Sequence, residues 1–224
     1  MARTRAIDYD DKRLALLSVA ARLFATHGFD ATSISEIANE AQVSKALLYH
    51  YYPGKSALLY DIISVHLTNL ADTLADADRP EAPPEEHLFS LVRATLFAYR
   101  EADALHKVRL NELDKLDADQ QRELRALERK VVTIMIRAVR RLNPRLLERD
   151  EAQLLKPVTM SLFGVLNWSY LWFREDGPLN RDDYARFVTR LFVEGVAKLT
   201  AEDGRARRVK ARARASEPES ASNP

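Results

Sequence analysis

Residues 28–55 read Gly28-Phe29-Asp30-Ala31-Thr32-Ser33-Ile34-Ser35-Glu36-Ile37-Ala38-Asn39-Glu40-Ala41-Gln42-Val43-Ser44-Lys45-Ala46-Leu47-Leu48-Tyr49-His50-Tyr51-Tyr52-Pro53-Gly54-Lys55. Ser33 followed three residues on by Glu36 is a capping box: hydroxyl and carboxylate each satisfy an N–H left open at a helix start. The helix so opened turns Ile34, Ile37 and Ala38 inward and runs to about Glu40. Ala41-Gln42-Val43 makes a short connection, Ser44 a second cap, and Lys45 to Tyr51 a second short helix with Leu48 facing inward. Two short helices across a tight turn form a helix-turn-helix, the arrangement that lays its second helix in the DNA major groove.

The second helix carries the side chains that such contact requires. Lys45 stands in the first turn, where the helix dipole disfavours a cation by about 0.3–1 kcal/mol, so its place there points to an external anion. Ala46 leaves room for close approach, and Tyr49, His50 and Tyr51 follow towards the helix end. In this motif the early residues of the recognition helix reach base edges, while hydroxyls and basic groups grip phosphates. Ser33 and Lys55 each stand at a helix start, where open backbone N–H groups also attract phosphate. An aromatic run at a helix end is in general more often packing than contact. The spacing of the whole segment reverses that expectation for Tyr49, His50 and Tyr51, leaves Leu47 open to either role, and assigns Tyr52 to the core beside the next helix.

Residues 10–60 resemble the DNA-binding domain of the TetR/AcrR family of bacterial transcriptional regulators, on Gly28-Phe29, Ser33-Ile34, Ile37-Ala38, Val43-Ser44-Lys45-Ala46-Leu47-Leu48-Tyr49-His50-Tyr51 and Lys55. The resemblance implies that Ser33, Ser44, Tyr49, Tyr51 and Lys55 hold phosphates, that Lys45 approaches bases and that His50 adds a contact. There are three departures: Gln42 where a turn glycine is common, Tyr52 for phenylalanine, and Gly54 for a small polar cap. If the turn needs a left-handed residue, Gln42 costs about 1 kcal/mol, whereas Gly54 remains an acceptable cap.

Composition favours helix. Among 224 residues there are 6 glycines, where an average chain has roughly 16, so turn-rich β folds and glycine-rich nucleotide loops start behind. Apolar residues recur at three and four from Leu14 to Phe24, Leu58 to Leu74, Leu88 to Tyr99, Leu124 to Leu142, Leu154 to Phe173 and Tyr184 to Leu199, with prolines mostly between these runs. The expectation is an all-α chain of about nine helices. Its domains are a three-helix DNA-binding head at residues 1–54, a larger ligand-binding and dimerisation domain at 55–203, and a disordered tail at 204–224 with six basic residues.

The absence of cysteine excludes a disulfide framework, a thiolate zinc site and a cysteine nucleophile. No apolar run approaches the roughly 18 residues of a membrane span, and Met1-Ala2-Arg3-Thr4-Arg5 leads to Asp8, Asp10 and Asp11 instead of a signal stretch, so a cytoplasmic protein without a membrane partner is expected. With 34 basic against 33 acidic residues the net charge is +1, and nucleic-acid binding must come from a local surface. Nothing implies a cofactor or a metal: His87 and His106 lie too far apart in sequence for a local site, and His27 and His66 read as ordinary histidines.

The resemblance further implies a homodimer built from the last two long helices as a four-helix bundle, with an effector pocket among the middle helices. Leu162, Leu166, Val188, Leu191, Phe192, Gly195, Val196 and Leu199 supply the apolar stripes, and Gly164 and Gly195 permit close helix approach. The helix around residues 157–173 is apolar nearly all round and calls for cover on two sides; Pro157 marks its start or a bend. This stretch and Leu110-Asn111-Glu112-Leu113-Asp114 resemble a branch of the family that responds to acyl-CoA thioesters. Candidate effector residues are then Phe163, Asn167, Trp168 and Trp172 as cavity wall, with Arg93, Arg100, His106 or Arg109 offering charge.

The leading expectation is a repressor released from a palindromic operator in double-stranded DNA by a small hydrophobic or acyl-CoA-type effector. The alternative is an all-α adaptor or enzyme without specific DNA binding. Its nearest acid and base candidates, Asp103 with His106 and Glu112 with Asp114, lie on segments that read as surface, as does the arginine face of Arg137, Arg140 and Arg141.

Overall fold

A computed structural model describes residues 2–100, 102–144 and 153–200; the tail expected at 204–224 lies outside the described residues. Among these residues there are nine α-helices and no strand. They are α1 (Ala2–His27), α2 (Ile34–Glu40), α3 (Lys45–Tyr51), α4 (Lys55–Ala77), α5 (Pro84–Ala98), α6 (Asp103–Glu112), α7 (Ala118–Leu142), α8 (Leu155–Trp168) and α9 (Arg181–Ala197). Single 3-10 turns follow α6 at Leu113–Lys115 and α8 at Ser169–Leu171. No described helix is long and apolar enough to cross a membrane.

Local chemistry explains most boundaries. Pro84 opens α5 at a position whose N–H would have no helical partner, and Glu85 and Glu86 complement the dipole there. Pro157 stands third in α8, within the first turn, so it marks a start and not a bend. Asn180 caps α9 by accepting from Asp183 N at 2.9 Å. α6 lacks such a signal: Ala102 precedes it without a side-chain cap, and its buried residues are His106 and Val108. An imidazole where a leucine would ordinarily stand broke the apolar period, which is why this helix was not among the expected runs.

Packing divides the chain into two units, residues 1–77 with 94–132 and residues 78–93 with those from 133 on. In the first unit α1 packs on α4 and α6, α4 on α6, and α2 on α1 and α3. Leu16, Ala20, Phe24, Ile37, Leu48 and Ile62 are core residues here, joined by Val108 of α6. Tyr52 is buried as expected, and its hydroxyl donates to Asp61 Oδ2 at 2.6 Å. Arg13 meets the same carboxylate through Nε at 2.9 Å and Nη2 at 2.5 Å, so α1 and the residue that ends α3 are tied to α4 through one acid. Burial, then the bond to Asp61, holds the Tyr52 hydroxyl protonated well above the ordinary tyrosine range.

His66, Tyr99 and His106 form a second polar group inside this unit. Each is almost wholly buried, His66 Nε2 lies 3.4 Å from His106 Nδ1, and the Tyr99 and His106 rings meet at a tilt of 36° with centroids 4.1 Å apart. The enclosure of His106 corrects the reading of its segment as surface: α6 turns this face onto α1 and α4. Burial, reinforced by His106 and Arg109, lowers the His66 pKa to about 3, and burial pushes the Tyr99 hydroxyl up to about 12.

In the second unit His87 is fully buried between two charged partners. Arg141 Nη1 donates to its Nδ1 at 2.9 Å, so Nε2 carries the ring proton and donates to Asp78 Oδ1 at 2.6 Å. Arg141 also donates to Ala82 O at 2.8 Å, and Arg137 to Asp78 Oδ2 at 2.6 Å. Arg141 is therefore a half-buried strut and not part of a solvated arginine face, whereas Arg140 is exposed. In α8 and α9 the buried hydroxyls of Thr159 and Thr189 are each satisfied within their own helix, on Leu155 O and Ala185 O at 2.8 Å.

Candidate functional site

Both expected caps form. Ser33 Oγ accepts from Glu36 N at 3.1 Å while Glu36 Oε2 accepts from Ser33 N at 3.4 Å, and Ser44 Oγ accepts from Leu47 N at 3.1 Å. Each serine spends only acceptor capacity on its cap, so the hydroxyl proton remains for an anion, and both residues are exposed. In the turn between α2 and α3, Gln42 takes φ 55°, the left-handed conformation that glycine adopts without strain. Gln42→Gly is accordingly expected to stabilise the protein by about 1 kcal/mol, seen as a melting temperature roughly 2–4 °C higher; an unchanged or lower value contradicts this account of the turn.

Of the seven residues of α3 only Leu48 is buried, with 0% exposure. Lys45, Ala46, Tyr49 and His50 are exposed, and Leu47, 37% exposed, lies at the edge of an apolar hollow with Leu16, Val19 and Val43. Tyr51 is half-buried, packs on the core of this unit and meets the His50 ring edge-on at 5.7 Å. α3 is thus anchored by Leu48 with Tyr51 packed beside it, while Lys45, Tyr49 and His50 project outward, as a groove-reading helix requires.

Lys55 is placed differently. Its Nζ donates to Phe29 O at 2.8 Å and Asp30 O at 3.3 Å and lies 4.6 Å from the Phe29 ring centre, so it clamps the turn between α1 and α2 and retains one N–H. The same turn, with Gly28 at φ 85°, is held from α6 and the 3-10 turn after it. Glu112 Oε1 accepts from Phe29 N at 3.4 Å, and Lys115 Nζ donates to Asp30 Oδ2 at 2.6 Å, which keeps the Asp30 carboxyl below its ordinary range. Glu112 and Lys115 thus brace this turn, a role that the sequence analysis did not give them. More than 80 residues separate them from the turn, and no local spacing announces the contact.

The eight candidate effector residues are divided between the units: Arg100, His106 and Arg109 belong to the first, and Arg93, Phe163, Asn167, Trp168 and Trp172 to the second. Arg109 is paired with Glu128 through Nη2 at 2.8 Å, and Arg93 is bonded to Asp182. Arg100 is exposed and His106 enclosed. Phe163 is buried and Asn167 half-buried, but Trp168 and Trp172 stand outward, 62% and 53% exposed. The two tryptophans instead continue an exposed apolar face with Met160, Leu171, Phe187 and Leu191. Beside Leu191, Pro157, Val158, Ser161, Val165 and Gly195 help to line an apolar groove of about 360 Å³ between α8 and α9. A Cβ built at Gly164 or Gly195 meets nothing within 4 Å, so neither glycine serves close packing among the described residues. Among the described residues no cluster of three or more metal-ligating side chains occurs.

Residues 16–62 match the family described as bacterial regulatory proteins, tetR family, and residues 81–196 the tetracyclin repressor-like C-terminal domain. The HTH-type transcriptional regulator BetI of Rhizobium meliloti (strain 1021) is 37% identical over 87 residues, which are 39% of this chain and 43% of that protein. The crystal structure of a TetR-family transcriptional regulator from Bordetella parapertussis 12822 is similar at 30% identity with a TM-score of 0.74, covering 84% of this chain and 97% of that one. AibR, crystallised with isovaleryl coenzyme A and operator DNA, shares the fold at 24% identity and a TM-score of 0.66, over 80% of this chain and 97% of its own. The two family matches together take in the helix-turn-helix and most of the helices after it, and the chain belongs to the tetR family of bacterial regulatory proteins.

Proposed function

We propose that the protein is a homodimeric repressor that grips a palindromic operator through α3 and leaves it when a small hydrophobic effector of acyl-CoA type binds the helical body. The observation that carries this reading is α3 itself, a capped helix with Lys45, Ala46, Tyr49 and His50 all outward on a single buried anchor. Lys45 reads bases; Ser33, Ser44, Tyr49 and Tyr51, with the remaining N–H of Lys55, hold phosphates, and His50 adds a contact. Residues 1–54 form the reading head and 55–203 the effector and dimer domain, though α4 and α6 pack with the head. Phe163 and Asn167 are the wall residues best placed for an acyl group, being drawn inward on α8. The kind of effector draws support from AibR, whose structure holds isovaleryl coenzyme A together with operator DNA.

A second copy of the chain covers the exposed face of α8 and α9. Six large apolar side chains there are each about half exposed, more than a monomer ordinarily leaves open in one place, and Gly164 and Gly195 give a facing helix room to approach. Two recognition helices then stand one DNA turn, roughly 34–36 Å, apart. Leu191→Asp is expected to yield a monomer by sedimentation and to abolish tight operator binding; a dimer that persists contradicts this placement.

The deciding experiment is DNA binding by the purified protein to the region upstream of its own coding sequence, with and without a panel of thioesters that includes isovaleryl coenzyme A. Release by one thioester supports the whole reading. Binding without release keeps the regulator and rejects the effector class, and no binding to that region or to a random DNA pool favours an adaptor or an enzyme.

A further inference from the structure

The crevice between α1, α4 and α6 in the first unit holds chemistry that DNA reading does not use. It holds about 260 Å³, just below the usual range of a drug-sized pocket and so suited only to a small molecule. Leu17, Ala21 and Ile62 are buried in its floor, Val65 and Leu105 are half-buried walls, and Leu14 is exposed beside it. Ser18, Asn69 and Arg22, all exposed, supply its polar groups. An apolar floor beneath a guanidinium, a hydroxyl and an amide suits a molecule with a hydrocarbon body and one anionic end.

The state of Arg22 strengthens this assignment. Its one recorded ion pair runs from Nη2 to Glu40 Oε1 at 3.3 Å, with the two side chains 59% and 53% exposed, and such a pair holds weakly. A guanidinium offers five N–H groups in a plane that matches a carboxylate on two prongs, so most of its capacity is unspent on Glu40. Glu40 is the last residue of α2, and the pair therefore ties α1 to the first helix of the helix-turn-helix.

We propose that this crevice binds a small monocarboxylate with a ring or branched hydrocarbon body of roughly ten non-hydrogen atoms. The hydrocarbon covers Leu17, Ile62 and Leu105, and the carboxylate takes Arg22 with help from Ser18 and Asn69. In doing so it competes with Glu40 and unties α1 from the end of α2. Binding itself is independent of the proposed function; only the consequence for DNA affinity rests on that reading.

The test is calorimetric titration of the full chain with benzoate and, as the uncharged match, benzamide, in the absence of DNA. Benzoate is expected to bind with a millimolar Kd and benzamide at least roughly tenfold more weakly, the loss of one charge-assisted contact. Arg22→Gln should weaken benzoate about tenfold, and Ser18→Phe, which fills the crevice from an exposed helical position, should abolish binding with the thermal melt unchanged. Glu40→Gln removes the competitor and should tighten benzoate binding. Equal binding of benzamide, no tightening in Glu40→Gln, indifference to both crevice substitutions, or no benzoate binding at tens of millimolar overturns the proposal. Because DNA is absent, a failure to find an operator leaves the result standing.

Discussion

Lys45→Ala is expected to weaken operator binding at least roughly thirtyfold while leaving the thermal melt in place. A good base contact is worth about 1–3 kcal/mol, and a dimer loses it at both half-sites. The side chain is exposed and bonds to nothing in the core, so the loss cannot pass through stability. Titration of labelled operator at fixed salt reads the effect, and affinity within threefold of the parent contradicts the role of Lys45. Tyr49→Ala separates the two kinds of contact. If Tyr49 holds phosphate, affinities for operator and for scrambled DNA fall by the same factor, whereas Lys45→Ala narrows the gap between them.

Acid is expected to destabilise the protein through His66. The folded-state pKa of about 3 lies far below the ordinary value of 6.5, so between those limits the unfolded chain binds a proton that the native chain refuses. Stability from this group is complete above pH 6.5 and is lost progressively as the pH falls towards 3. Its share of the loss is about 2 kcal/mol by pH 5, from roughly 1.4 kcal/mol per pKa unit. Urea unfolding of His66→Gln at pH 7.5 and 5.0 reads the change, since the groups that titrate elsewhere are common to both proteins and His106 is the one histidine that faces the substituted side chain. The variant should lose about 2 kcal/mol less than the parent between the two values, and an equal loss contradicts the buried neutral imidazole.

The reading head was legible because its chemistry is local. A serine and a glutamate three residues apart, a second serine cap and one inward leucine fix α2 and α3 within a short stretch; the left-handed turn at Gln42 was only a condition suggested by the resemblance, and φ 55° meets it. Pro157 was legible as a start or a bend, since a missing N–H has few places to stand, and its position in the first turn of α8 decides for the start. What escaped was of two kinds. α6 hid because His106 occupies a buried position where the apolar period needs an aliphatic residue. The grip of Glu112, Lys115 and Lys55 on the turn at Gly28 hid because it joins distant segments, and a sequence displays pairing only between neighbours. Trp168 and Trp172 were misplaced for a physical reason: a helix apolar all round calls for cover on two sides, but its sequence does not say which side belongs to its own chain.

The hold of α3 on a single buried leucine bears on how such a protein acquires new targets. Lys45, Ala46, Leu47, Tyr49 and His50 each touch solvent, and exchanges at surface positions ordinarily shift stability by less than about 0.5 kcal/mol. On the proposed reading, the outward positions of α3 can therefore be exchanged one at a time, each intermediate still folded, provided Leu48 stays. Drift in operator preference and conservation of architecture are uncoupled within one seven-residue helix, so a duplicated gene could diverge in what it reads long before it diverges in shape.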